Sequence, residues 1–424
     1  MDRLILIGNP GNRRTEGLQE ARRKLGMPPA VVVPYLDLLR GRTSLEQTAE
    51  LAELRGNRSP VLRLDAPGEL FEVERELIAL GAPDAPAELA DDRLLPYGAW
   101  NDPQPLPVKA ALSIQEQRGR LYHPSQWFRG YGRLLAMVEK RAKELWPHGR
   151  WMNAPDDIAA MFDKRYTHRV LTAVNVPVPR RLAPPEQLPD YEALREMMSQ
   201  CRLHRLFIKL AAGSGACGVI AYQTNPVTGA ELAVTTIGVE SYNTRPPAYY
   251  NAVKLRRYTG RQEIRSIINW LLAHGAHIEQ WIAKAAYMGH SYDIRQLVVD
   301  GEACHRIARV SPTPITNLHL RSQRKTLDEV GLISSEQDTV KDCAERALAA
   351  FDGSTVAGVD VLLDSRSKKP YIADVNPFGD LLYRVEYNGC DPYEWEMRRL
   401  RETFSPLSPM GKERFEPAER KNEY

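Results

Sequence analysis

The segment 357–382 constrains the fold more than any other part of the chain. Apolar and polar residues alternate on both sides of a polar stretch at 365–370, a pattern typical of two strands joined by a turn. In such a hairpin Asp360, Asp374 and Asn376 can approach one another on a single face. Mg²⁺ takes oxygen ligands of this kind and completes its shell with waters and phosphate oxygens. The segment therefore predicts a magnesium site, with a solvated strand face as the simpler alternative.

The overall composition excludes several classes of protein. The 424 residues are enough for about two or three domains, and 57 basic residues nearly balance 54 acidic ones, which gives no case for a nucleic-acid partner. No apolar run is long enough to cross a membrane, and the chain begins with a strand-like segment at 4–7 rather than a cleavable leader. The five cysteines lack CxxC spacing, which argues against a zinc site or a disulfide framework. We expect a cytoplasmic protein with no membrane or nucleic-acid partner.

The first part of the chain reads as a small α/β domain. Short apolar strands alternate with helical segments over residues 1–95. The loop 8–12 contains two glycines but lacks the spacing of a dinucleotide-binding motif, so we interpret it as an ordinary turn between strand and helix. The helix after this loop is predicted to have Thr15 as its N-cap.

A lysine lies on a predicted amphipathic helix in the middle of the chain. Apolar residues between 155 and 170 form one stripe of a single continuous helix, and Lys164 falls on the opposite side. An exposed lysine in such a position is normally only a solvated charge.

A second lysine, Lys209, lies near the end of a predicted strand and just before a glycine-rich loop. Gly213, Gly215 and Gly218 match the pattern GxGxxG, but a β-type segment follows instead of a helix, which argues against a dinucleotide-binding fold. A glycine hairpin with a lysine at its base can close backbone N–H groups and an ammonium group over phosphates. The alternative is a plain glycine-rich turn.

In their order along the chain, these motifs resemble the ATP-grasp superfamily, and within it the branch of the ribosomal-protein glutamate ligase. The resemblance covers about residues 129–384. It rests on Asn153, Asp163-Lys164, Lys209 with the loop 213–219, Glu279-Gln280-Trp281-Ile282, Asp293-Ile294-Arg295, Arg309, Asn317-Leu318-His319, Gly358-Val359-Asp360 and Asp374-Val375-Asn376.

The resemblance implies an α+β chain with the ATP-grasp fold, in which two α+β subdomains clamp ATP, preceded by an α/β pre-ATP-grasp domain. The expected boundaries are 1–125 for the N-terminal domain, 126–280 for a helical link and the lid subdomain, 281–403 for the C-terminal subdomain with the metal site, and 404–424 for a tail.

The resemblance also implies a role for each motif residue. ATP would be bound by Lys164, Lys209, Gly213, Ser214, Gly215, Gly218, Glu279, Gln280, Trp281, Ile282 and Asp293. The backbone around Gln280 to Ile282 would contact the adenine, and Asp293 would lie near the ribose. Mg²⁺, or Mn²⁺ in its place, would be held by Asp360, Asp374 and Asn376. In catalysis Arg309 would neutralise the γ-phosphate, and Arg295, Asn317 and His319 would border the acceptor pocket. The family usually has Glu at position 374, and Asp380 in the same loop could compensate for the shorter side chain.

The activity implied is that of an ATP-dependent carboxylate–amine ligase. Phosphoryl transfer from ATP would give an acyl phosphate, which an amine then attacks, so that ADP and phosphate are released. The partners would be a carboxylate substrate and an amine acceptor, such as an amino acid, a peptide or a natural-product intermediate. Two alternatives stay open: an ATP-grasp kinase that phosphorylates a small molecule, and a non-catalytic nucleotide-binding module.

Overall fold

The structure, a computed structural model, describes residues 3–51, 59–98, 102–213, 217–244, 246–320 and 322–404, without the side chains of Leu51, Val253 and His319. These residues form three β-sheets, called here the N-terminal, middle and C-terminal sheets. The predicted site residues Ser214 and Gly215, and all of the predicted tail except its first residue, lie outside the described residues. Within the described part, no helix combines the length and apolarity needed to cross a membrane.

The N-terminal sheet is parallel, with strand order β2-β1-β3-β4. Its strands are β1 Leu4–Gly8, β2 Val31–Pro34, β3 Val61–Leu64 and β4 Arg150–Trp151. The helices of this region are α1 Arg13–Lys24, α2 Tyr35–Leu39, α3 Leu45–Leu51, α4 Phe71–Leu80, α5 Val108–Leu112 and α6 Pro124–Leu145. β1 and β3 are buried along their whole length, because helices cover both faces of such a sheet.

The prediction that Thr15 caps α1 is wrong. Asn12 is the N-cap, and its side-chain oxygen accepts a hydrogen bond from the Thr15 backbone N–H at 2.8 Å. The Thr15 hydroxyl instead donates to the carbonyl of Asn9 at 3.0 Å. Asparagine is as good an N-cap as threonine, so the cap lies three residues earlier than predicted.

The prediction of one helix through Lys164 is also wrong. The chain forms two helices, α7 Pro155–Phe162 and α8 Lys164–Ala173. Asp163 between them is extended (φ −88°, ψ 102°), and its carboxylate caps α8 by accepting the Arg165 N–H. Lys164 is therefore the first residue of a helix, and its side chain is only 10% exposed.

The middle sheet is antiparallel, with order β8-β7-β6-β5-β9. Its strands are β5 Arg205–Leu210, β6 Val219–Thr224, β7 Glu231–Glu240, β8 Ala248–Tyr258 and β9 Ala276–Gln280. Two helices, α9 Tyr191–Gln200 and α10 Arg261–Ala273, share its main apolar core. β5 and β6 pair directly, so the predicted strand–glycine loop–strand arrangement is present.

The C-terminal sheet has the order β13-β12-β11-β14-β15, and β10 also pairs with β11. Its strands are β10 Ala286–Tyr287, β11 His290–Val299, β12 Glu302–Ser311, β13 Gln323–Lys325, β14 Val356–Leu363 and β15 Pro370–Asn376. The helix α11 Ser334–Ala349 packs on this sheet, and α12 Pro392–Thr403 packs on α1. The predicted hairpin is β14–β15, in which Asp360 pairs directly with Asp374.

Candidate active site

An open cavity, of about 660 Å³ when the part open to solvent is included, lies between the middle and C-terminal sheets. Eight of the predicted site residues line it: Lys164, Lys209, Gly213, Glu279, Asp293, Asn317, Asp360 and Asp374. The structure therefore brings together residues separated by more than 200 positions in the chain.

Lys164 reaches this cavity from α8. Its ammonium group donates to the carbonyl oxygen of Gly213 at 2.7 Å and lies 3.3 Å from a carboxylate oxygen of Asp374. One lysine thus connects the start of the glycine loop with the hairpin of the C-terminal sheet.

Lys209 reaches the same cavity from β5. Its ammonium group lies 2.5 Å from Glu279 on β9 and donates to the carbonyl of Ala373 on β15 at 3.2 Å. Burial acts to raise the pKa of Glu279, but the charge of Lys209 and a hydrogen bond with His277 outweigh it and hold the pKa at about 2. The carboxylate is therefore ionised, and Lys209 is fixed at the cavity wall.

Two of the lining residues, Asp293 and Asp360, belong to a chain of alternating charges. Arg309 donates two hydrogen bonds to Asp293, at 2.8 and 2.7 Å, and lies 3.1 Å from Asp360. Arg295 lies 2.5 Å from both Asp360 and Asp380. Burial acts to lower the pKa of Arg309, but the two aspartates outweigh it and raise the pKa above its usual value. Paired in this way, buried charges avoid the penalty of isolated ones.

The candidate metal ligands fit a hard divalent cation by their chemistry. Asp360 and Asp374 face each other across β14–β15, and Asn376 lies two residues further along β15, on the same face as Asp374. The set supplies oxygen donors only, as Mg²⁺ prefers. The described residues contain no group of three or more His, Cys, Asp or Glu side chains arranged for a metal.

A cation at this place would compete with the protein's own cations. Asp360 is paired with Arg295 and Arg309, and Asp374 with Lys164. Asp380, expected as a possible substitute ligand, is held by Arg295.

Several predicted residues do not line the cavity. The N–H groups of Gln280 and Trp281, predicted to meet adenine, donate to the carbonyls of Arg180 and Arg205. The Trp281 ring packs edge-on against Phe207, with a centroid distance of 5.3 Å.

The other predicted site residues that do not line the cavity are Ile282, Gly218, Arg295, Arg309 and Asn376. Asp293 lines the cavity, but its oxygens accept from Arg309 and from the Thr316 hydroxyl rather than standing free for a ribose.

Part of the lining was not among the predicted site residues. Lys284 and Thr316 are polar, and the other such lining residues are Phe207, Cys217, Val219, Ile315, Leu362 and Ala373. Strand periodicity was a usable signal for two of them, because Phe207 shares a strand face with Lys209, and Leu362 shares one with Asp360. No pattern around Lys284 marks it.

Solved structures with the same architecture exist, although no protein-family model and no curated protein matches the chain. D-cycloserine synthetase DcsG is 14% identical, with a TM-score of 0.51, and the match covers 94% of this chain and 99% of that chain. The ATP-grasp ligase PsnB complexed with minimal precursor is 15% identical, with a TM-score of 0.47 and coverages of 91% and 96%. D-alanine–D-alanine ligase from Bacillus anthracis complexed with ATP is 11% identical, with a TM-score of 0.44 and coverages of 89% and 87%.

The match to D-cycloserine synthetase defines the class of the fold. It confirms the predicted ATP-grasp fold, and its coverage includes the α/β domain that comes first in the chain. The closer likeness to the ribosomal-protein glutamate ligase stays a prediction.

Proposed function

We propose that the chain is an ATP-dependent carboxylate–amine ligase that acts through an acyl phosphate. One observation carries the proposal: two lysines from separate elements, Lys164 and Lys209, reach one cavity that also holds the facing carboxylates Asp360 and Asp374. Ammonium groups opposite a pair of carboxylates are suited to a polyphosphate with its divalent cation.

The cavity offers a separate place for each part of a nucleotide. The apolar side chains of Phe207, Val219 and Leu362 provide walls for a base, and Lys164 and Lys209 provide positive charge for the phosphates. Mg²⁺ held by Asp360, Asp374 and Asn376 would neutralise phosphate oxygens during transfer.

The reaction needs stabilised charge and little water rather than a covalent nucleophile. A substrate carboxylate oxygen attacks the γ-phosphorus and ADP leaves; an amine then attacks the acyl carbon, phosphate leaves, and the amine loses a proton. Arg309, 3.1 Å from Asp360, would be the guanidinium that neutralises the transferring group. Arg295 and Asn317 would border the acceptor, whose class we expect to be an amino acid, a peptide or a natural-product intermediate.

We also propose the role given above for each site residue, and that Mn²⁺ can replace Mg²⁺. The proposed domain boundaries are at about 125, 280 and 403. We further propose that the chain belongs to the branch of the ribosomal-protein glutamate ligase and that it is cytoplasmic.

Trapping with hydroxylamine tests the proposal directly. The protein is incubated with Mg-ATP, a panel of carboxylates and hydroxylamine, which converts an acyl phosphate into a stable hydroxamate. A ligase gives ADP and a hydroxamate with its own carboxylate, and gives an amide when the true amine replaces hydroxylamine. ADP release that depends on an alcohol and yields no hydroxamate would support the kinase instead. Nucleotide binding without any ADP release would support the binding module.

A further inference from the structure

Lys284 is a third lysine in the cavity, and no role proposed above uses it. It lies between β9 and β10, and its backbone forms a bridge with Asp364 that fixes it to the C-terminal sheet. Its side chain is only 6% exposed and lines the cavity together with Lys164 and Lys209.

The first two lysines have close anionic partners. Lys209 lies 2.5 Å from Glu279, and Lys164 lies 3.3 Å from Asp374. Each of these ammonium groups therefore has a carboxylate partner before any ligand arrives.

Lys284 is placed differently. It donates to the hydroxyl of Thr316 at 2.7 Å, and Asp293, 3.9 Å away, is the one carboxylate within 4 Å among the described residues. Both oxygens of Asp293 already accept hydrogen bonds from Arg309. The ammonium group of Lys284 thus has a neutral hydrogen-bond partner, a shared counter-ion and the ring of Phe207, whose centroid is 6.0 Å away.

The charges that face Lys284 oppose one another. Burial lowers its pKa to about 8; Asp293 and Asp360 act to raise the pKa, while Arg309 and Lys209 act to lower it. A buried cation with so little compensation gains strongly from an anionic ligand. Lys209 and Lys284 both line this cavity, so a polyphosphate bound in it could meet both ammonium groups.

We propose that Lys284 binds the phosphate chain of the nucleotide as a third phosphate-binding cation of this cavity. The inference rests on the proposed nucleotide site and adds a residue to it. A lysine with a merely structural role would hold Thr316 in place and would not distinguish ligands with phosphates from ligands without them.

Calorimetric titration with ADP and with adenosine, both with Mg²⁺, separates these roles. In Lys284→Met we expect the affinity for ADP to fall about tenfold to a hundredfold, since a charge-assisted hydrogen bond is lost, and the affinity for adenosine to stay unchanged. Lys284→Arg should recover most of the loss, and Lys140→Met, a change at an exposed lysine of α6, should have no effect. Thermal unfolding without ligand verifies that each variant is folded.

The pH dependence gives a second readout. The wild-type affinity for ADP should decline as the pH rises through about 8, because Lys284 loses its proton there. The Lys284→Arg variant should lack this decline, because arginine stays charged.

Two results would overturn the inference, and they differ from failure of the proposed function. Unchanged ADP affinity in Lys284→Met, or an equal loss for ADP and adenosine, contradicts the role of Lys284 alone. A wild-type protein that binds no ADP contradicts the proposed nucleotide site, and this inference with it.

Discussion

The two walls of the cavity neutralise their buried charges in different ways. On the middle sheet, Lys209 and Glu279 form a local pair with one further partner, His277. On the C-terminal sheet, Asp360 is shared by two arginines, and each arginine binds a second aspartate. The first arrangement confines a perturbation to one pair, whereas the second transmits it along a chain that includes a candidate metal ligand.

The largest expected effect is a loss of folding stability in Arg309→Met, a change in the C-terminal wall. Loss of the guanidinium leaves Asp293 buried with only a hydroxyl and a distant ammonium as partners, and removal of one member of a buried ion pair typically costs about 3–5 kcal/mol. Denaturant unfolding measures the change. A loss below about 1 kcal/mol would show that the chain of charges does not stabilise this wall.

The second largest expected effect is a loss of ATP affinity when Asp374, which faces Asp360 across the hairpin, is changed. Asp374→Asn removes a full charge from the candidate Mg²⁺ site, and we expect the Mg²⁺-dependent affinity for ATP to fall about a hundredfold, or roughly 2–3 kcal/mol. Asp374→Glu keeps the charge and restores the residue usual in the family, so it should retain most of the affinity. Titrations across a Mg²⁺ series provide the test. Equal behaviour of the two variants would contradict the metal assignment.

On the middle wall, Lys209→Met should change the acid stability of the fold. The pKa of Glu279 is about 2 in the folded protein against an ordinary value of 4.5, so its contribution is complete above about pH 4.5 and is lost as the pH falls towards 2. This loss amounts to up to about 3 kcal/mol in the wild type. Without Lys209 the main charge that lowers the pKa is gone, and the loss between pH 5 and 3 should shrink. An unchanged pH profile of unfolding would contradict the pairing.

The smallest effect is a coupling energy. Arg295→Met and Arg309→Met share the partner Asp360, so their effects on stability should deviate from additivity by about 1 kcal/mol. Arg309 and Lys209 have no ion-pair partner in common, so the effects of Arg309→Met and Lys209→Met should add within about 0.5 kcal/mol. A double-mutant cycle for each pair of variants measures its coupling energy. Equal coupling energies in the two cycles would contradict the proposed difference between the two walls.

The parts of this fold that followed from sequence are those with local signals. The β14–β15 hairpin and the pair of strands around the glycine loop come from strand periodicity and turn residues, which neighbours in sequence determine. The order of the motifs then predicted the ATP-grasp fold.

The parts that did not follow depend on distant contacts or on one backbone angle. Lys284 meets Thr316 across 32 positions, and Arg295 meets Asp380 across 85. The helix breaks at Asp163 because this residue is extended. The apolar stripe continues across the break, so the stripe alone does not reveal it. The N–H groups of Gln280 and Trp281, assigned to adenine, bind neighbouring backbone that only the folded chain brings near.

The central claim is that the cavity between the middle and C-terminal sheets binds ATP with Mg²⁺. Thermal unfolding of the wild-type protein with and without Mg-ATP tests it most directly. At a free ligand concentration about 100 times the dissociation constant, binding should stabilise the fold by about 2.7 kcal/mol, and Asp374→Asn should lose most of this stabilisation. An unfolding curve that millimolar Mg-ATP leaves unchanged would contradict the account.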